Sequence, residues 1–266
     1  VKNPCFLLLF ALVAIICSCK DNQENDVPDK SSGDLVVFND FIPSYPFDVP
    51  EMEMKTGKYD MPVAGKFNFE VLVDSMQSKM AYWKIIDFGE NIVYQGHALN
   101  GKKDGWWEVI KDNILICSGN YASNTKYGIW RYYNLEEESK KFVNFINDTI
   151  VGLAQEFSAD STLLSEGFYV RGFKSDYWKY FYNNGILKEQ GYFYDGYKNG
   201  WWQSFESNGN LIEEANYSNN EISGFTKKYF NGILFEEGES FDGQRRGTWK
   251  SYDETGNLKG IQEYGE

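Results

Sequence analysis

Residues 191–214, GYFYDGYKNGWWQSFESNGNLIEE, read as one small β-hairpin with the turn into the next, and the rest of the chain repeats them. With Gly191 as position one, Gly200 is tenth, Trp202 twelfth, Phe205 fifteenth, Gly209 nineteenth and Leu211 twenty-first. The same marks return from Gly96 (Gly105, Trp107, Ile110), Gly119 (Gly128, Trp130, Tyr133), Gly167 (Trp178, Phe181, Gly185) and Gly238 (Gly247, Trp249, Tyr252). Weaker copies start at Ala215, at Val143 (Gly152, Phe157, Leu163) and near Leu72 (Trp83, Ile86). About eight units of 23 or 24 residues signal a repeat array rather than one closed core.

Each unit carries two turn signals. Asp104-Gly105 and Asn199-Gly200 mark one, and Asn184-Gly185, Asn208-Gly209 and Asn231-Gly232 the other. Such dipeptides supply the positive φ of tight hairpin turns. Two turns per period predict two short antiparallel strands per period, and segments such as 201–206 and 212–217 are too short for helices. Trp107, Trp130, Trp178, Trp202 and Trp249 then form one ladder. Ile110, Tyr133, Phe157, Phe181, Phe205, Tyr229 and Tyr252 form another, on the opposite face unless a bulge intervenes. The expected fold is all-β, an elongated, open antiparallel sheet of repeated hairpins in which each unit buries its apolar groups against its neighbours.

These marks resemble the MORN repeat in its bacterial variant, a pattern of glycine, aromatic, Lys-x-Gly turn, Trp, aromatic and Gly-x-Leu. Lys103, Lys126, Lys174, Lys198 and Arg245 match the basic residue of that turn. The resemblance covers roughly 72–266, with departures at Leu72, Val143, Asp176 and Thr226. It implies an array of hairpins acting as a non-catalytic binding scaffold. Many bacterial relatives carry an antitoxin label, which implies as an alternative a protein that neutralises a toxin by direct binding.

Residues 1–18 read as a lipoprotein signal peptide, with Lys2 before an apolar run, 6–16, too short to span a bilayer. Ile16-Cys17-Ser18-Cys19 fits a lipobox, so Cys19 is the expected lipid attachment. Residues 19–34 are polar and acidic, a flexible tether. The lysine and acidic residues after Cys19 resemble an export signal for surface lipoproteins, and a spacer on a periplasmic face is the other reading. Either way the expected site is the cell envelope, as an outer-membrane lipoprotein attached through lipid on Cys19. Residues 35–71 differ from the repeats and read as an N-terminal β cap, with Phe67, Phe69, Val71 and Val73 alternating as in a strand; residues 72–266 are the array.

A formal charge of −13 disfavours nucleic acid and anionic lipid headgroups as partners. Once residues 1–18 leave and Cys19 is modified, Cys117 is the remaining thiol, read as a small strand filler. With one histidine, His97, read as an exposed strand residue, no metal site, cofactor or catalytic residue is expected. The doubled aromatics at positions eleven and twelve point to binding. One ring of each pair packs the sheet and the other faces out, which nominates Trp106, Tyr177 and Trp201, and with them Tyr197 of the Trp201 unit, as the interaction surface for a protein or glycan partner.

Overall fold

The computed structural model describes residues 58–63, 67–75, 80–87 and 89–265. The expected signal peptide, Cys19, the expected tether and most of the expected cap lie outside the described residues. The alternating residues 67–73 fall in the strand Phe67–Ser75, which pairs with Lys58–Val63 and Met80–Asp87.

Among the described residues, nineteen strands run from Lys58–Val63 to Leu258–Tyr264 in one sheet. Each pairs antiparallel with its neighbours in sequence, a continuous meander. Ser139–Ile146 pairs with two pieces, Thr149–Ile150 and Gly152–Ser158, because Val151 interrupts the partner strand. The first and last strands are each paired on one side among the described residues, so the sheet stays open.

One class of turn is as read from the sequence. Asn184-Gly185 and Asn208-Gly209 close hairpins, with the Gly185 amide donating to the Tyr182 carbonyl and Gly209 to Glu206, each at 2.8 Å. The other class is corrected. Asp104-Gly105 and Asn199-Gly200 are not turns: they lie inside the strands Lys102–Lys111 and Tyr197–Phe205. The chain instead reverses at Asn100-Gly101, Asp195-Gly196 and Asp242-Gly243, where both residues have positive φ. Gly200 still needs its φ of +77°, for a different reason. Gly191 pairs with Trp202 and Phe193 with Lys198, so the three residues 199–201 stand opposite Tyr192 alone. This double bulge re-aims the strand just before its tryptophan.

Cross-strand partners share a face, which fixes the two sides of the sheet. Positions one and twelve pair directly, Gly191 with Trp202 of its own unit and Gly238 with Thr226 of the unit before it. The fifteenth-position ring lies on the other side, as expected: the Tyr229 and Tyr252 hydroxyls donate to Glu214 and Glu237 at 2.7 and 2.6 Å.

The tryptophan face holds the core. Trp107, Trp130, Trp178, Trp202 and Trp249 are buried. Each indole lies flat over the glycine that opens its unit. A Cβ built on Gly96, Gly119, Gly167, Gly191 or Gly238 would stand 2.1 to 2.5 Å from ring atoms. The indole N–H then reaches past the glycine to the next carbonyl, from Trp202 to Tyr192 at 2.9 Å and from Trp249 to Glu239 at 2.8 Å, with equivalent bonds from the other three. Rings from position three fit edge-on between successive indoles, as Phe193 does 6.0 Å from Trp178 and 5.0 Å from Trp202.

The basic residue matched to a turn is also a core element. Lys103, Lys126, Lys174, Lys198 and Arg245 extend over the indole rings with their charged groups 4.1 to 4.9 Å from the centroids. Each roofs its tryptophan, the apolar stem covering the ring and the cation meeting its negative face. Burial lowers the Lys103 pKa to about 8, with the Lys126 charge adding to the effect. Burial pushes the Cys117 thiol up to about 12, against the lowering effect of the Lys126 and Lys103 charges. Cys117 is fully buried, the filler expected of it, and His97 is exposed.

From the Gly96 unit onward, two units lack the pair, and they lack both members. Where position one carries a side chain, Val143 or Ala215, position twelve is small, Ala154 or Thr226. All four are buried, and the hydroxyl of Thr226 has no hydrogen-bond partner among the described residues.

Candidate interaction surface

The opposite face carries many of the large side chains that the sheet leaves to solvent. Alternation along Leu187–Tyr194 buries Gly191 and Phe193 on the tryptophan face, which forces Tyr192 and Tyr194 outward. Across the hairpin Tyr197 stands opposite Tyr194, and Tyr177 of the preceding hairpin stands opposite Tyr192. The double bulge turns Trp201 out as it turns Trp202 in. Fractional exposures are 36% for Tyr177, 55% for Tyr192, 69% for Tyr194, 50% for Tyr197 and 40% for Trp201. The Tyr177 and Tyr192 rings meet edge-to-face at 4.9 Å, and partial burial together with the neighbouring Tyr192 phenol raises the Tyr177 pKa.

Three of the four residues nominated from sequence, Tyr177, Tyr197 and Trp201, therefore come together on two adjacent hairpins. Trp106 does not join them. It sits several strands away and is half-buried, its indole N–H donating to Glu108 at 3.3 Å and the Arg131 guanidinium 5.4 Å from its ring. Tyr192 and Tyr194 were missed. Their signal was present in the strict alternation of 191–194, once the glycine is placed mid-strand under an indole. Exposed side chains continue the aromatic group along the same face: Leu153, Phe168, Val170 and Phe173 on one side, Phe225 and Phe241 on the other.

Beside the rings runs a polar row, one residue per strand, joined by direct cross-strand pairing. It reads Gln155, Glu166, Lys179, Gln190, Gln203, Glu214, Lys227, Glu237, Lys250. The Gln190 amide donates to Gln203 at 2.8 Å, and the Gln203 amide donates to Glu214 at 2.9 Å. Lys179 stands 4.0 Å from Glu166 and Lys250 4.0 Å from Glu237. A shallow, open depression of about 350 Å³ lies on this face between Phe225, Glu237, Gly238, Glu239, Thr248 and Lys250. Among the described residues no group of three or more His, Cys, Asp or Glu side chains could hold a metal ion. The chemistry on offer is stacking, hydrogen bonding and hydrophobic contact.

No curated protein matches the chain. The family model for the MORN repeat variant matches residues 198–219 and 245–265, two segments that begin at the roofing cations Lys198 and Arg245 and run through Trp202 and Trp249, so the chain carries MORN-type repeats there.

Proposed function

We propose that this chain is a non-catalytic binding scaffold of the cell envelope, held to the membrane through lipid on Cys19, whose repeat sheet presents one face to a protein or glycan partner. MORN-type repeats are generally binding repeats without catalysis, and the open sheet of hairpins fits that use. The observation that carries the reading is the cluster of Tyr177, Tyr192, Tyr194, Tyr197 and Trp201, exposed on the face that does not hold the core. Contiguous exposed aromatic groups of this kind mark interaction sites on soluble domains. The envelope assignment rests on the lipobox at 16–19 and the acidic tether that follows.

Hydroxyl-radical footprinting on intact cells and on the purified chain tests the binding face. Protection of these five rings on cells, relative to the purified chain, is the expected result. Equal reactivity in both settings would remove the binding reading. Mass spectrometry of the protein from its membrane tests the anchor: acylated Cys19 is expected, and an unacylated chain retaining residues 1–18 would overturn the location.

A further inference from the structure

We propose that the exposed face takes an uncharged, extended polysaccharide laid across the strands, a proposal that rests on the binding-scaffold reading above. Equivalent residues of successive hairpins are separated by two strand spacings, roughly 9.5 Å. That step is comparable to one disaccharide of an extended chain. A linear ligand crossing the strands therefore meets the same kind of contact again at each hairpin, which neither a small molecule nor a compact one would use.

At each step a ring and a hydrogen-bonding group sit side by side. Tyr177 is two residues from Lys179 and, one hairpin on, Trp201 is two from Gln203, while on the strand between them Tyr192 is two from Gln190, so each pair shares a face on one strand. Flat rings stack on the C–H faces of pyranoses, while amides and carboxylates bond their hydroxyls. The polar side chains are already held in place. Gln190 donates to Gln203, which donates to Glu214, and Glu214 also accepts from Tyr229. Less side-chain freedom is then lost when a ligand arrives.

Charge selects the class. Along the polar row Glu166, Glu214 and Glu237 alternate with Lys179, Lys227 and Lys250, so the row itself has no excess of either sign. It complements an uncharged chain. The −13 charge of the whole molecule opposes acidic glycans, nucleic acid and anionic lipid headgroups.

The test is calorimetry on the full chain in mild detergent with neutral linear oligosaccharides of glucose, mannose, xylose and N-acetylglucosamine, from disaccharide to hexasaccharide, and with polygalacturonate as the acidic counterpart. At least one neutral series should bind, with affinity rising tenfold or more from disaccharide to hexasaccharide. Trp201→Ala and Gln203→Ala should each lower the hexasaccharide affinity about tenfold, with the circular dichroism of the chain unchanged, and Tyr192→Ser supplies a milder variant of an already exposed ring. Failure of every neutral hexasaccharide to bind, tighter binding of polygalacturonate, or indifference to all three substitutions would overturn the proposal. If no glycan binds while the rings remain protected on cells, the partner is a protein and the binding face survives. If protection is also missing, both readings fall.

Discussion

Gly191→Ala adds one methyl group at the most crowded point of the repeat. Its Cβ would stand 2.2 Å from Cδ2 and 2.4 Å from Cε2 and Cγ of Trp202. That is more than 1 Å inside an ordinary carbon–carbon contact. The indole has little freedom to lift. Its N–H is bonded to the Tyr192 carbonyl at 2.9 Å, Phe193 meets its edge at 5.0 Å, and Lys198 lies 4.1 Å above it, itself tied to Glu189 at 2.6 Å. Overpacking of this kind costs about 1–3 kcal/mol. Displacement of the ring adds a lost hydrogen bond, about 1 kcal/mol. We expect a loss near 3 kcal/mol, which for an array of this size is a fall of roughly 6–12 °C in Tm.

The chain supplies its own control in the Ala215/Thr226 unit. Trp202→Thr alone should cost about 4 kcal/mol, the range for emptying a buried tryptophan site. In the double variant Gly191→Ala/Trp202→Thr the added methyl has no ring to strike, so the loss should stay near 4 kcal/mol. Independent effects would instead sum to about 7 kcal/mol. The coupling of about 3 kcal/mol is read from thermal and urea unfolding, supported by hydrogen exchange of the amides in 187–218, because a repeat array can unfold in parts. A neutral Gly191→Ala, or additive losses, would refute the account of why these glycines are there.

Thr226→Val should raise stability by about 1 kcal/mol, since it replaces a buried hydroxyl that has no partner among the described residues with a methyl of similar size; calorimetric unfolding measures it. Lys103 titrates near pH 8 in the folded chain against an ordinary 10.5, so between those values the unfolded chain binds more protons. The stability of the wild type relative to Lys103→Met should therefore be level below about pH 7 and rise as pH climbs through 8, and a falling difference would contradict the sign. Cys117, buried with its pKa pushed up to about 12, should stay unlabelled by a thiol reagent at pH 8.5 and react once urea unfolds the array. Tyr192→Ser and Tyr194→Ser, which remove rings mostly in solvent, should each cost less than about 1 kcal/mol in the same unfolding assay.

The hairpin array was legible because its cause is local. A period of 23 or 24 residues, two breaks in each period and a tryptophan at one fixed position in most periods describe the meander without any distant contact. Gly105 and Gly200 were misplaced because a positive φ serves a turn and a bulge alike, and only the register shows that 199–201 face the single residue Tyr192. The purpose of Gly191 was hidden for a related reason: a mid-strand glycine under a ring on the next strand looks, in sequence, like any other glycine. Lys198 read as a turn residue because its work is done across space, over Trp202, whereas its neighbours in sequence are Tyr197 and Asn199. Tyr177, Tyr197 and Trp201 could be picked out as ring-bearing positions. That they gather while Trp106 stays apart, partly covered by Arg131, depended on the register of the hairpins and on what lay beside each ring.

The two faces of the sheet answer to different constraints, and comparing the units within this one chain separates them. From the Gly96 unit onward, position twelve is tryptophan wherever position one is glycine, and the two exceptions change both members at once, Val143 with Ala154 and Ala215 with Thr226. Such joint departures follow when two residues compete for one volume. Position eleven, on the exposed face, reads Trp106, Ile129, Leu153, Tyr177, Trp201, Phe225 and Thr248, with no partner position tracking the change. The sheet's own packing sets little there beyond a side chain compatible with a strand. Because the glycine–tryptophan pairs and their cationic roofs carry the packing energy, the exposed face can vary from hairpin to hairpin without loss of the fold. Its rings are nevertheless densest from Phe168 to Trp201, where the position-twelve residues Trp178 and Trp202 are both tryptophan. A binding surface built there stands on two consecutive units that each keep the glycine, the tryptophan and the cationic roof, which limits the strand movement that would blur its spacing.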